Sequence, residues 1–246
     1  MQIQRGVAVT VVGAVMAAAL AQPLWAGVIP VPNGSFESPY VDMVSPYATS
    51  TISDWQKAPV PAWWLGLGYS EQQWIDSAGV FVNVPFTPID NVDQRQAAFM
   101  FATPGVELFQ DLTATFEVGW SYHLAVGIEG GGYGMLVGVP MEIRLYYRDA
   151  GGNRVAVGAT IATNANATGD ITHLTDYQMD IPIVAVGDAW AGKTIGVQLI
   201  QTVDPLDAGG FWVLDNVRLT TVPEPTTLGL LALGIAGWGL RRRRRT

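Results

Sequence analysis

Two histidines and no cysteine narrow the chemistry open to this chain of 246 residues. His123 falls inside an alternating run in which Tyr122, Leu124 and Val126 share the opposite face, so it reads as a satisfied or solvent-facing strand residue. His173 follows Gly169-Asp170 in a polar loop. Neither has a partner at H-x-H, H-x-x-H or H-E-x-x-H spacing, and without thiolates no zinc site is expected. No G-x-S-x-G elbow occurs, and Gly130 to Gly134 lacks the strand-to-helix setting of a phosphate loop. A glycosidase needs only two carboxylates at a set separation. With 21 Asp and Glu in the chain, some approach each other by chance, so their abundance carries no weight. The expectation is a protein that is not an enzyme, with a polysaccharide hydrolase as the least favoured alternative.

Binding chemistry has better material. Trp63, Trp64, Tyr69 and Trp74 form the densest aromatic stretch, with Gln72, Gln73 and Asp76 interleaved. Flat sugar faces stack on such rings while amides and carboxylates hydrogen-bond the hydroxyls. The competing reading is that these tryptophans are core, as Trp212 is expected to be; exposure decides between the two.

The elements that must position these residues read as strands. Residues 107–112, 121–129, 141–148, 154–163, 176–183, 194–201 and 211–220 are rich in Val, Ile, Tyr, Phe and Thr. Ile143, Leu145 and Tyr147 alternate with Glu142, Arg144, Tyr146 and Arg148, which fixes two faces. Asp149 to Asn153 is a hairpin loop, and Gly130-Gly131-Gly132 and Gly209-Gly210 read as turns. Only Ala185 to Gly192 hints at a helical turn, within a loop. Residues 39–88 read as long connections and short strands. The fold class expected is all-β: an antiparallel β-sandwich.

Two ends of this core carry a resemblance. Asn33-Gly34-Ser35-Phe36-Glu37 near its start and Phe211-Trp212-Val213-Leu214-Asp215-Asn216-Val217-Arg218-Leu219 at its end resemble the galactose-binding-like jelly rolls, which include many carbohydrate-binding modules. Phe109-Gln110-Asp111-Leu112 and Gly119-Trp120-Ser121-Tyr122-His123-Leu124 resemble that family's central hairpin. The resemblance implies adjacent first and last strands and a structural calcium with Glu37 and Asp215 as its carboxylates. Two carboxylates completed by carbonyls suit a hard cation. The alternative is that both are strand-end residues bonding to backbone.

The termini are a separate system. Met1 to Arg5 carries one positive charge, Val7 to Leu20 is uncharged and apolar, and small residues follow, as in a secretory signal peptide. Cleavage is expected after Ala19-Leu20-Ala21 or after Leu24-Trp25-Ala26. At the other end Val222-Pro223-Glu224-Pro225 precedes an uncharged run, Thr226 to Leu240, and five arginines, Arg241 to Arg245. The prolines keep their segment extended. The 15 residues after them would rise roughly 22 Å as a helix, against a hydrocarbon core about 30 Å thick. The order of Pro-Glu-Pro, short apolar helix and basic cluster resembles the C-terminal sorting signal of the PEP-CTERM proteins of Gram-negative bacteria. That resemblance implies export through the Sec translocon, transient anchoring in the inner membrane and processing by an exosortase. It also implies a final place at the cell surface or outside the cell, beside exopolysaccharide.

The expected organisation is therefore a signal peptide over residues 1–26, a β-sandwich over 27–221 and a sorting signal over 222–246, with a helix at each flank. Six of the 13 basic residues lie in the termini. Without them and Glu224, seven basic residues face 20 acidic ones, a net charge near −13 for the core. That charge argues against nucleic acid and anionic lipid as partners and is compatible with neutral glycans and divalent cations. Carbohydrate binding at the surface or in a biofilm matrix is the expected role, with a structural or adhesive protein lacking a small-ligand site as the alternative.

Overall fold

In the computed structural model, residues 26–85 and 87–223 are described. The expected leader helix and C-terminal helix, together with Glu224 and Pro225, lie outside the described residues. Gly27–Thr221 packs as one compact unit, and no helix among the described residues is long and apolar enough to cross a membrane.

The unit is a jelly roll of two antiparallel sheets. The larger carries β10 (Thr175–Ile181), β7 (Trp120–Gly132), β12 (Phe211–Pro223), β5 (Gln96–Phe101), β4 (Ala78–Val82) and β2 (Ala48–Thr49) in that order, and β1 (Gly27–Ile29) pairs with β12. The smaller runs β3 (Gln56–Lys57), β6 (Glu107–Thr115), β11 (Thr194–Gln201), β8 (Pro140–Arg148) and β9 (Arg154–Thr163). All seven strands expected from residue 107 onward are present. β10 stops at Ile181 because Pro182 has no amide for the ladder. The first and last strands pair, Gly27 opposite Thr221 and Ile29 opposite Leu219.

Alternation delivers the core. Ile143 and Leu145 of β8, Leu108 and Leu112 of β6, Val197 and Leu199 of β11 meet Leu124 and Val126 of β7 and Trp212 and Leu214 of β12. Each large side chain buried here contributes about 1.5–3 kcal/mol, and with no disulfide in the chain this packing carries the fold. The β8–β9 hairpin turns as expected: Asp149 Oδ1 accepts from the amides of Gly151 and Asn153, and Gly152 takes φ +82°.

Two expectations are corrected. Gly130 to Gly132 is no turn but the end of β7. A Cβ at Gly130 would lie 2.8 Å from the Trp212 ring and one at Gly132 2.4 Å from Phe211, so the glycines make room for aromatic rings lying on the strand. The stretch 39–88, read as connections and short strands, also holds two short helices, α1 (Ala62–Gly66) and α2 (Glu71–Ile75). Ala185 to Gly192 is a loop of successive turns, with Asp188 N–H donating to Ala185 O and Ala191 N–H to Asp188 O.

Candidate functional site

α1 and α2 place the four aromatic residues singled out from the sequence. Ser70 caps α2 reciprocally with Gln73: Ser70 Oγ accepts from Gln73 N–H, and Gln73 Oε1 accepts from Ser70 N–H. The connection folds Trp64 back so that its Nε1–H donates to Ser70 O at 2.9 Å and its ring stacks on Tyr69 at 4.4 Å. Trp74 lies beneath with its edge to Trp64 at 5.5 Å and to Trp63 at 6.1 Å, and its Nε1–H bonds Ala58 O. The rings are thus brought together but not equally presented. Trp63 is 44 % and Tyr69 46 % exposed, whereas Trp74 is 4 % exposed and belongs to the core. Trp74 therefore supports the platform from below and presents no face to a ligand, a correction to its sequence-based role.

Lys57 fastens this region. Its ammonium donates to the carbonyls of Ser50, Ile75 and Ala78, tying the end of α2 to β4 and to the chain leaving β2. Burial lowers its pKa to about 8, although Asp76 partly opposes the shift.

A second feature was not visible in the sequence. The outer face of the larger sheet carries Phe81 on β4, Phe99 and Phe101 on β5, and Phe211 and Val213 on β12. Two loops rise beside it and pack a small satellite core of Ile89, Ala97, Leu174 and Val213. The loops are tied together where Asp90 N–H donates to Thr172 O and Leu174 N–H to Asp90 O, both at 2.9 Å. Between them lies a groove of about 950 Å³, floored by the phenylalanines and edged by Tyr47, Tyr133 and Asp170.

Glu37 and Asp215, the expected calcium carboxylates, grip one loop. Glu37 Oε1 accepts from the amides of Arg95 and Gln96 at 2.7 and 2.6 Å, and Asp215 Oδ2 accepts from Asp93 N–H. Asp215 is fully buried, and its Oδ1 has no partner among the described residues. Burial pushes its pKa up to about 8, and the charges of Asp93 and Glu37 add to the rise. The orphaned, buried Asp215 oxygen is the one feature here that suits a cation. No group of three or more His, Asp or Glu arranged to hold a metal occurs among the described residues, so carbonyls would have to complete a shell.

The histidines do what strand and loop histidines do. His123 Nδ1 lies 2.7 Å from Asp180 Oδ1 across the β7–β10 pair, and His173 Nε2 lies 3.1 Å from Asn91 Nδ2. On the outer face of the smaller sheet, Glu107 pairs with Arg154, Asp111 with Arg148 and Glu142 with Arg144.

Residues 221–244 match the PEP-CTERM protein-sorting motif, so the chain carries that sorting signal at its C-terminus, with Pro223 inside it. No curated protein matches the chain. Among solved structures, a cyclase from Fischerella sp. TAU aligns at a TM-score of 0.60 and 22 % identity, over 82 % of this chain and all of that one. A second structure from the same organism, in complex with (3Z)-3-(1-methyl-2-pyrrolidinylidene)-3H-indole, aligns at 0.58 and 22 %, over 81 % of this chain and all of that one. The CBM22-1 xylan-binding domain of Paenibacillus barcinonensis Xyn10C aligns at 0.41 and 11 %, over 70 % of this chain and 87 % of that domain. At these identities the likeness is one of fold.

Proposed function

We propose that this is an exported, non-catalytic β-sandwich protein that binds carbohydrate through Trp63, Trp64 and Tyr69, with Trp74 as their buried support. The observation that carries the reading is that Trp63 and Tyr69 are half-exposed while each is held by a neighbouring ring, Trp63 against Trp64 and Trp74 and Tyr69 against Trp64, on two short helices of which α2 is capped. Exposed aromatics held by their neighbours lose little side-chain entropy on binding, and one hydrophobic face with a polar tip suits a pyranose ring. Gln72 and Asp76 stand beside them, bonded to each other at 2.9 Å. Residues 1–26 serve as the signal peptide, 27–221 as the binding domain and 222–246 as the sorting segment. The Sec translocon exports the chain, and an exosortase processes it at Pro223-Glu224-Pro225 before release to the surface or matrix. Glu37 and Asp215 hold a structural calcium that satisfies the orphaned Asp215 oxygen.

Affinity electrophoresis against a panel of soluble polysaccharides tests the binding. Retardation by at least one neutral polysaccharide, weakened about tenfold (about 1.4 kcal/mol) by Trp63→Ala and by Tyr69→Ala, is the expected result. Self-association with no retardation on any polysaccharide would replace this reading with a structural matrix protein. Replacing Pro223, Glu224 and Pro225 by alanine should leave the tail unprocessed in cells that carry an exosortase. For the ion, a lower Tm in EDTA, restored by added calcium, is expected; an unchanged Tm would remove it.

A further inference from the structure

We propose that the groove on the outer face of the larger sheet is a second binding site, separate from the Trp63–Tyr69 platform, and that it takes a small, flat, ring-containing amine. Its volume of about 950 Å³ lies within the span of small-molecule sites. Its floor is a continuous aromatic surface: Phe99 meets Phe101 edge to face at 6.0 Å, Phe101 meets Phe211 at 6.0 Å, and Tyr133 tilts over Phe211 at 5.5 Å. These rings stay partly exposed at the middle of a sheet, between loops that cover its other end. Gly132 has no Cβ to push Phe211 off the strand, which is what lets that ring lie over β7 beside Phe101 and Tyr133.

The floor itself offers a sugar nothing to hydrogen-bond, because it is phenylalanine. Asn83 is spent on both sides of Ile89: its Oδ1 accepts from Ile89 N–H and its Nδ2 donates to Ile89 O. The other polar side chains of the lining are the hydroxyls of Tyr47, Thr87, Tyr133 and Thr172 and two carboxylates. The charges narrow the class further. Among the described lining residues the only charged side chains are Asp76 and Asp170, and no Lys, Arg or His faces the groove. Asp76 is engaged by Gln72, whereas the carboxylate of Asp170 has no side-chain partner among the described residues. An anion would be repelled; a cation gains from the carboxylate and from the aromatic faces together. The walls are preorganised. Asn166 Nδ2 donates to Asp170 O and its Oδ1 accepts from Gly169 N–H, which holds the loop bearing Asp170 in place.

The test is calorimetric titration of the full-length protein with tryptamine, tryptophol and indole-3-acetate, which share one ring and differ in charge. Tryptamine should bind, tryptophol more weakly, and indole-3-acetate at least tenfold more weakly than tryptamine. Phe101→Ala should weaken tryptamine at least tenfold. Asp170→Asn, an exposed change that leaves the packing intact, should narrow the gap between tryptamine and tryptophol, the aromatic faces and Asp76 keeping part of it. Trp63→Ala should change neither, and this separates the groove from the carbohydrate platform, whose failure on polysaccharides would leave these titrations untouched. Absence of tryptamine binding at millimolar concentration overturns the proposal. So does equal affinity for all three probes, or binding that survives both groove variants, provided thermal melts show the variants folded.

Discussion

The two outer faces of this sandwich are built by the same alternation and end in opposite states. On the smaller sheet the outward residues close on one another. Arg154 reaches Glu107 and lies 3.7 Å over the Phe109 ring, Glu107 also accepts from Gln198, and Tyr146 and Arg148 share Asp111. On the larger sheet the outward residues are phenylalanines whose neighbours in the groove include no basic side chain among the described residues. A face that satisfies its own groups has little free energy left to offer a ligand, whereas an uncovered aromatic floor gains from every apolar atom laid on it. The difference assigns stability to one face and binding to the other.

The sharpest way to break that contrast is on the closed face. Glu107 is 5 % exposed, and Glu107→Ala strands Arg154 and Gln198. A loss of roughly 2–4 kcal/mol in urea denaturation is expected, because truncating one partner leaves a charge poorly compensated. Replacing both Glu107 and Arg154 by Met should recover most of it. A single-variant cost below 1 kcal/mol would mean that this face is as loosely engaged as the other. Gly196→Ala comes next. A Cβ there would lie 2.1 Å from the Tyr146 ring, so the ring must lift off the strand, at a cost of about 1–3 kcal/mol. On the open face, Phe101→Ala should cost only about 1 kcal/mol of stability, since its ring is already part-exposed and its partners line a groove.

The closed face was readable in the sequence and the open one was not. Glu142, Arg144, Tyr146 and Arg148 alternate with Ile143 and Leu145 within one strand, so period two alone assigns both faces. β4 and β5, which supply Phe81, Phe99 and Phe101, read Ala-Gly-Val-Phe-Val and Gln-Ala-Ala-Phe-Met-Phe. Both are largely buried on their two sides, because the satellite core covers part of the outer face, and burial on two sides erases alternation. The groove also draws its floor from residues 81, 99, 101 and 211, which become neighbours only once β4, β5 and β12 are laid side by side. The aromatic platform is different. Its four rings lie within 12 residues, so their clustering was legible, but two helices of five residues each are too short to show a 3.6 period. Which ring would be buried depended on that missed geometry, and Trp74 was placed accordingly.

The smallest expected effect tests how firmly the platform is joined to the sheet that bears the groove. In the folded protein the Lys57 pKa is lowered to about 8 from its ordinary 10.5. The folded state therefore gives up this proton before the unfolded chain does. Between about pH 8 and 10 the unfolded chain binds more protons, so the contribution of Lys57 to stability rises with pH. Below about 8 both states hold the proton and the contribution is flat. Above 10 the trend is opposed by Tyr122 and Tyr146, whose hydroxyls burial keeps protonated in the fold. Lys57 is only half-buried, so solvent screening limits the rise to on the order of 1 kcal/mol. Lys57→Met should remove the upward slope between pH 8 and 10 in melts followed by tryptophan fluorescence. It should also lower Tm across the range, because the carbonyls of Ser50, Ile75 and Ala78 lose a shared donor. A slope that survives the substitution would place the titrating group elsewhere.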